Sequence, residues 1–356
     1  MKKVRVAIIC GGRSSEHEIS CISARGVLDS IDKQSFEPVL IGITQSGKWV
    51  SLSDAKQFTV GENLLPHVPN DAPELIIDVH GIKDSNGKSL GIDLVFPLLH
   101  GAYGEDGTIQ GLLEMADIPY VGSGVLASAV AMDKSFAKPI YADFGLQVAD
   151  GITVHLRDWQ RNRELEIAKI SALGFPLFVK PARSGSSRGT TKVKSADEIT
   201  AAIDEAHSHD PRAIVEIAVV GREVECAVLE IDGQAHASVI GEIKVHAPHE
   251  FYDFEAKYLD GSTTFDVPAE IDEQISNQIR DLAITAFEAL GCEGLARVDF
   301  FLTADNEVII NELNTMPGFT ATSVFPMLWQ ATGKSYEEVI TQLCHSALNR
   351  TRNVVR

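Results

Sequence analysis

The sequence predicts a mixed fold, an α/β first domain followed by strand-rich α+β units. Three observations carry that expectation. Residues 4–10 form an apolar run that enters a Gly11-Gly12 turn, then a helical stretch over 19–31 and a second apolar run over 36–43. That strand, glycine turn, helix, strand order marks an α/β unit. Residues 291–323 instead hold two apolar runs joined by a short polar turn, the pattern of a β-hairpin. The third is length: 356 residues, 44% of them apolar, correspond to about two to three domains with sizeable cores.

Charge and cysteine content narrow the function. A net charge of −19 without a long basic run argues against nucleic acid or an anionic membrane as the main partner. Basic residues inside motifs therefore stand out as ligands for phosphate or carboxylate. The five cysteines are scattered, odd in number and without CxxC pairing, which suggests neither a disulfide framework nor a zinc site. The first apolar run is too short for a signal-peptide core, and no window approaches a membrane span, so a cytoplasmic location is expected.

Taken in order, the first strand runs into residues 11–18, GGRSSEHE, which place backbone amides and Glu16 at the C-terminal edge of a sheet. Open α/β sheets bind ligands at that edge. GxGxxG is absent, so a dinucleotide site is not indicated, and Glu16 by itself reads equally as a helix-start residue. Residues 94–98 form another strand, ending at His100-Gly101 and a second glycine-rich loop, with Asp106 or Thr108 to cap the next helix. His100 stands either as a structural imidazole or as a substrate-edge residue. A domain boundary is placed near residue 121. Residues 123–150 read as helix and carry Lys134, which alone would be a solvated lysine.

The apolar strand of residues 174–181 ends in Lys180-Pro181 and feeds a small polar loop, residues 182–189, ARSGSSRG. Such a loop can lay N–H groups and hydroxyls over phosphates, although it is not the Walker pattern. The strand over 213–217 then stops at Glu216 and becomes a linker, which would expose its backbone groups to an adenine edge, with Glu223 for ribose hydroxyls. The second boundary falls here, giving domains 1–121, 122–215 and 216–356. Residues 241–268 read as a long loop rich in aromatic and charged residues, an active-site lid carrying Lys257 and Tyr258. An amphipathic helix over 270–290 leads to the hairpin, a closing helix spans 335–348, and residues 351–356 form a tail.

The hairpin carries the chemistry. Side chains alternate along a strand, so Arg297 and Asp299 share one face, as do Glu312 and Asn314 on the second run. If the two faces coincide, the hairpin gathers one guanidinium, two carboxylates and one amide. The three oxygen donors suit a hard cation such as Mg²⁺, which fills its shell with water and nucleotide phosphates. Arg297 beside them can neutralise a developing oxyanion. Beyond Asn314, the Met316-Pro317-Gly318 turn brings the N–H groups of residues 318–324 and the Ser323 hydroxyl near the same place.

In combination and in order, GGRSSEHEIS, HGAYGEDGTIQG, MDK, VKPARSGSSRG, FYDFEAKY, GLARVDFF and NELNTMPGFTATS strongly resemble the D-alanine–D-alanine ligases of the ATP-grasp superfamily. The match runs to about residue 348. The resemblance implies an ATP-grasp fold: a doubly wound α/β N-terminal domain, then central and C-terminal domains whose antiparallel sheets grip ATP. It implies that Glu16 holds the amino group of the first D-alanine, with His100 close by. Lys134, Lys180 and the lid's Lys257 contact phosphates, Glu216 with Ile217 and Val219 receives adenine, and Glu223 takes the ribose. Ser186, Tyr258 and Glu16 resemble a hydrogen-bonded trio. Arg297 and the Gly318 amide hold the oxyanion, Asp299, Glu312 and Asn314 bind two Mg²⁺ ions (Mn²⁺ as substitute), and Ser323 with the Val324 amide binds the second carboxylate. A monovalent cation and a homodimer are also implied.

The sequence departs from the family pattern in two places: many members have lysine at the position of Ile217, and some have tyrosine at that of Phe254. The Tyr258 lid resembles the dipeptide-forming branch rather than the one that makes D-alanyl-D-lactate. Two other readings remain: an ATP-grasp ligase for a different acid and amine, and a nucleotide-binding sensor without catalysis.

Overall fold

The protein is described here from a computed structural model covering residues 2–56, 58, 65–245 and 263–350. Strand β1 (Val4–Gly11) leads into α1 (His17–Ser30), β2 (Phe36–Ile43) and the short β3 (Trp49–Ser51). A two-stranded hairpin, β4 (Leu75–Asp78) and β5 (Gly81–Asp84), precedes β6 (Leu94–Pro97) and α2 (Thr108–Met115). The sheet order is β3-β2-β1-β6, with β1 parallel to both neighbours. Alternation along β1 explains its run of apolar residues. Val6, Ile8 and Cys10 face one core, Ala7 and Ile9 the other, and all are fully buried. Gly11 needs to be glycine: its φ is 87°, and a Cβ would lie 2.3 Å from the Ile43 carbonyl oxygen. Asp106 caps from one residue outside α2, its Oδ1 accepting the Thr108 N–H at 3.0 Å.

The single helix expected over 123–150 is two helices and a strand. Helix α3 (Val125–Met132) stops at Asp133, α4 (Lys134–Asp143) starts afresh, and β7 (Gln147–Val148) follows. Asp133 has extended backbone angles, and its side chain accepts the Ser135 N–H, so it breaks one helix and caps the next. Arg212 pairs with the same carboxylate and fixes the break in place.

The central unit adds β8 (Gly151–His155), α5 (Leu156–Arg161), α6 (Arg163–Ser171), β9 (Leu177–Pro181), β10 (Thr191–Val193), α7 (Ile199–His209) and β11 (Arg212–Ile217). Its antiparallel sheet runs β10-β9-β11-β8. Leu177, Val179, Ala213 and Val215 form a core with α7, which turns Phe178, Lys180 and Glu216 to the opposite face. Strands β12 (Arg222–Ile231), β13 (Gln234–Val245), β14 (Thr263–Asp266), β15 (Leu295–Leu302) and β16 (Val308–Asn314) build the third sheet, in the order β14-β13-β12-β15-β16-β7. The segment expected to be a loop from 241 to 268 is thus strand at both ends: residues 242–245 pair with 263–266. Residues 246–262, with Lys257 and Tyr258, lie outside the described residues, as does the tail over 351–356.

The Glu273–Ala289 helix covers one face of this sheet through Ile279, Ala283, Ala286 and Phe287. The Val324–Ala331 and Tyr336–Asn349 helices cover the opposite face, in one continuous core that joins Ala227, Leu229 and Leu295 of the third sheet to the first sheet. Phe319 is the pivot, with ring contacts to Phe96, Phe325 and Tyr336. It is fully buried, and removing such a ring typically costs about 3–5 kcal/mol. Packing of Phe319 therefore anchors the preceding Met316-Pro317-Gly318 turn against the N-terminal unit. Among the described residues no helix is long and apolar enough to cross a membrane.

Candidate functional site

The second and third sheets face each other across a cavity of about 350 Å³. Its lining includes Lys134, Lys180, Glu216, Ile217, Val219, Glu223, Arg297, Asp299 and Glu312, brought together from α4, β9, β11, the linker after it, β12 and the hairpin. The hairpin's two faces do coincide, because of a bulge. Asp299 pairs with Glu312 and Arg297 with Asn314, whereas Phe300 pairs with Ile310, so one extra residue, Asn311, is inserted in β16. Val308 and Ile310 point to the core; strict alternation from them would bury Glu312 and Asn314 on the same side. The bulge reverses the alternation and delivers both to the cavity face.

Charges at the hairpin are closely matched. Arg297 donates to both oxygens of Asp299, each at 2.7 Å, and its Nε lies 3.2 Å from Glu225 Oε1. Asn314 Nδ2 donates to Asp299 at 3.1 Å, and Lys134 Nζ lies 2.9 Å from Glu312 Oε2. Lys134 is buried rather than solvated, and its Nζ also donates to the Ser184 carbonyl at 3.0 Å. Among the described residues no cluster of three or more His, Cys, Asp or Glu side chains stands ready to hold a metal ion. Two carboxylates and an amide nevertheless fit Mg²⁺, which binds through one or two carboxylates and takes its remaining ligands from water and phosphate.

Opposite the hairpin, Glu216 is 2% exposed and sits between two ammonium groups. Lys180 donates to its Oε2 at 3.0 Å and Lys138 pairs with its Oε1. Burial alone would raise this carboxyl, but the two lysines outweigh it and pull it down to about 2. The edge of β11 is less open than the sequence implies. The Ile217 N–H donates to the Asp150 carbonyl and the Ala218 N–H to that of Pro176, because β8 and the start of β9 flank the strand end. Val219 remains as a cavity-lining residue beyond them.

Glu16, the residue before α1, accepts a hydrogen bond from Ser186 at 2.5 Å. Two glycines close on it: a Cβ at Gly101 would lie 2.8 Å from Glu16 Oε2, and one at Gly185 3.3 Å. Ser186 and Ser187 both adopt left-handed backbone, φ 51° and 54°, which is uncommon for non-glycine residues and is found at ligand clamps. His100 is buried; its Nδ1 lies 3.0 Å from the Met316 carbonyl oxygen and its Nε2 3.3 Å from Ser23 Oγ. Burial pushes its pKa below the usual imidazole value despite the nearby Glu16 carboxylate. Gly318 packs against Ser323, whose Oγ accepts the Thr320 N–H at 3.0 Å, and Val324 opens the following helix.

Sequence reading missed four residues of this site. Lys138 lies one turn after Lys134, and Glu225 lies two residues from Glu223 on one strand face; both spacings were legible. Asn311, 3.4 Å from Lys180 Nζ, owes its place to the bulge and had no signal. Glu105, inside the second glycine loop, accepts the Gly101 N–H at 2.7 Å and the Met316 N–H at 3.2 Å.

Comparison with known proteins gives consistent results. Residues 5–123 match the family model described as D-ala D-ala ligase N-terminus, and residues 140–345 the one described as D-ala D-ala ligase C-terminus. A D-alanine–D-alanine ligase of Pseudarthrobacter chlorophenolicus is 48% identical, covering 98% of this chain and 95% of its own. One from Mycolicibacterium smegmatis is 47% identical over 98% of this chain and 96% of its own. Among solved structures, the VanG D-Ala:D-Ser ligase of Enterococcus faecalis superposes with a TM-score of 0.85 at 36% identity, covering 97% of this chain and all of its own. The D-alanine–D-alanine ligase of Coxiella burnetii gives 0.82 at 35%, covering 98% and 96%.

Proposed function

The chain belongs to the D-alanine–D-alanine ligase family, an ATP-grasp family, and from that premise we propose that it joins two D-alanines at the expense of ATP for peptidoglycan precursor synthesis. The carrying observation is the register of the hairpin, which sets Arg297, Asp299, Glu312 and Asn314 on one face opposite Lys180. The chain is taken to act in the cytoplasm as a homodimer of three units, 1–121, 122–215 and 216–356, although β11 runs two residues past the second bound and β7 joins the third sheet.

A carboxylate is a poor acyl donor and must first be activated. One oxygen of the first D-alanine's carboxylate attacks the γ-phosphorus, the bond to the β-phosphate oxygen breaks, and ADP and an acyl phosphate result. This chemistry needs positioning and charge neutralisation more than covalent help. Lys134 and Lys180 hold the phosphates, and the lid's Lys257 joins them. Glu216 with Ile217 and Val219 borders the adenine, Glu216 also holding Lys180 in place, and Glu223 is at the ribose. Asp299, Glu312 and Asn314 would hold two Mg²⁺ ions, which would supply further neutralisation of phosphate charge, as would a monovalent cation if one binds.

Glu16 holds the first ammonium, with His100 beside it and Ser186 and Tyr258 tying the loops to it. The second D-alanine, its carboxylate on Ser323 and the Val324 N–H, attacks the acyl carbon through its neutral amine. Arg297 and the Gly318 N–H hold the tetrahedral oxyanion. Collapse breaks the bond to phosphate, and the amine's extra proton leaves with it. Losing one oxyanion donor of this kind typically costs about 3–4 kcal/mol.

The test is to incubate the protein with ATP, Mg²⁺ and D-alanine, then identify the product by mass. D-Alanyl-D-alanine with equal ADP and phosphate is expected; ADP release that D-alanine does not stimulate would refute the reading. Sedimentation at micromolar concentration checks the dimer.

A further inference from the structure

The Met316 peptide is held from both sides by the N-terminal unit. Its N–H donates to Glu105 Oε1 at 3.2 Å, and its carbonyl oxygen lies 3.0 Å from His100 Nδ1. The second Glu105 oxygen accepts the Gly101 N–H at 2.7 Å. Gly101 also lies against Glu16, since a Cβ there would come within 2.8 Å of Glu16 Oε2. One carboxyl thus connects the loop that borders the first substrate to the turn that carries Gly318, 211 residues away in sequence from Glu105 to Met316.

We propose that Glu105 is a positioning residue that clamps the Met316 peptide against the His100–Gly101 loop and so aims the Gly318 N–H at the tetrahedral oxyanion. The inference rests on the ligase reading above. The lever is short. Gly318 lies two residues beyond the clamped peptide, and Phe319 is pinned on its other side by Phe96, Phe325 and Tyr336. With both flanks fixed, the Gly318 N–H has little freedom to drift. Misplacement of such a group by about 1 Å can cost about 100-fold in rate. The carboxyl is suited to the task because each oxygen, protonated or ionised, keeps a lone pair for a backbone N–H. An amide does not, so Glu105→Gln preserves shape while opposing one N–H donor with another.

A control is available on the same loop. Gln110 Nε2 donates to the Gly104 carbonyl at 2.8 Å and bonds to no part of the Met316 peptide. The experiment compares wild type, Glu105→Gln, Glu105→Asp and Gln110→Leu. It measures kcat, KM for ATP, thermal midpoint, and the ratio of phosphate released to dipeptide formed. A misaimed oxyanion donor slows acyl transfer more than phosphorylation, so the acyl phosphate is lost to water. For Glu105→Gln, kcat is expected to fall about 10- to 100-fold. KM for ATP should be unchanged and the phosphate-to-dipeptide ratio should rise above one. Glu105→Asp, which can reach only one of the two N–H groups, should show the same uncoupling more mildly and serves if the glutamine variant does not fold. Gln110→Leu should keep the ratio at one. A ratio of one in both Glu105 variants, or equal uncoupling in Gln110→Leu, overturns the proposal. Absence of dipeptide from the wild type would instead refute the ligase reading.

Discussion

Glu216 and Glu105 are carboxyls at opposite ends of one site, and the protein treats them differently. Glu216, beside the cavity, is wedged between Lys180 and Lys138 and held down to about 2. Glu105, beside Glu16 and the Met316 turn, has two peptide N–H groups as its hydrogen-bond donors; burial and the neighbouring Glu16 push it up to about 8. The end proposed for the nucleotide therefore comes with its charges already matched, so that breaking one pair strands another. The end proposed for acyl transfer carries two neighbouring carboxyls, Glu16 and Glu105, a setting suited to a substrate that brings its own ammonium group. Two carboxyls of equal chemistry thus acquire different work from their neighbours alone.

Several measurements can break or sharpen this contrast. The largest effect is expected between the two ends, at Arg297. Arg297→Ala should abolish turnover, by about 1,000-fold or more, while nucleotide titration still shows ATP binding. Near-normal phosphate release from that variant would remove Arg297 from the reaction. Stability comes next. Lys138→Ala leaves a buried carboxylate short of one partner and should cost about 3–5 kcal/mol in urea unfolding. A loss below about 1 kcal/mol would mean that Lys180 alone suffices for Glu216.

The pH dependence follows from the two shifts and has opposite signs. Glu216 is lowered from 4.5, so its contribution is complete above the unfolded value and is lost as pH falls toward 2. Glu105 is raised from 4.5 to about 8, so the folded chain binds more protons than the unfolded one between those values, and stability declines as pH rises through that window. Glu105→Gln should flatten the decline between pH 5 and 8 in thermal or urea unfolding. An unchanged slope would show that Glu105 titrates normally. The smallest effect is expected at Asn311. Asn311→Ala removes one weak contact to Lys180 and should raise KM for ATP about two- to fivefold, from a hydrogen bond worth about 0.5–1 kcal/mol. A larger change would assign the bulge a role beyond reversing the strand.

The outline of the fold was legible in the sequence. The apolar run over 36–43 and the hairpin runs from 295 to 302 and from 308 onward stand where the periodicity puts them, because all three are buried strands bounded by polar turns. The helix over 123–150 was misread because Asp133 looks like an ordinary polar residue until Arg212, from a distant strand, is seen to fix it as a cap. The stretch from 241 was misread at its ends because β14 has no strong pattern of its own and is held by pairing with β13.

By itself the sequence determined the residue types, their alternation and the family, since those are local properties: a period of two, a glycine at a forced turn, a motif in order. Which faces meet was decided only in three dimensions. One inserted residue in β16 turns Glu312 and Asn314 toward the cavity, and no pattern in the chain marks it, because a bulge is defined by the partner strand. The same holds for Glu105, whose role depends on a peptide 211 residues away. Long-range pairing and burial set those environments, and through them the charge each carboxyl carries.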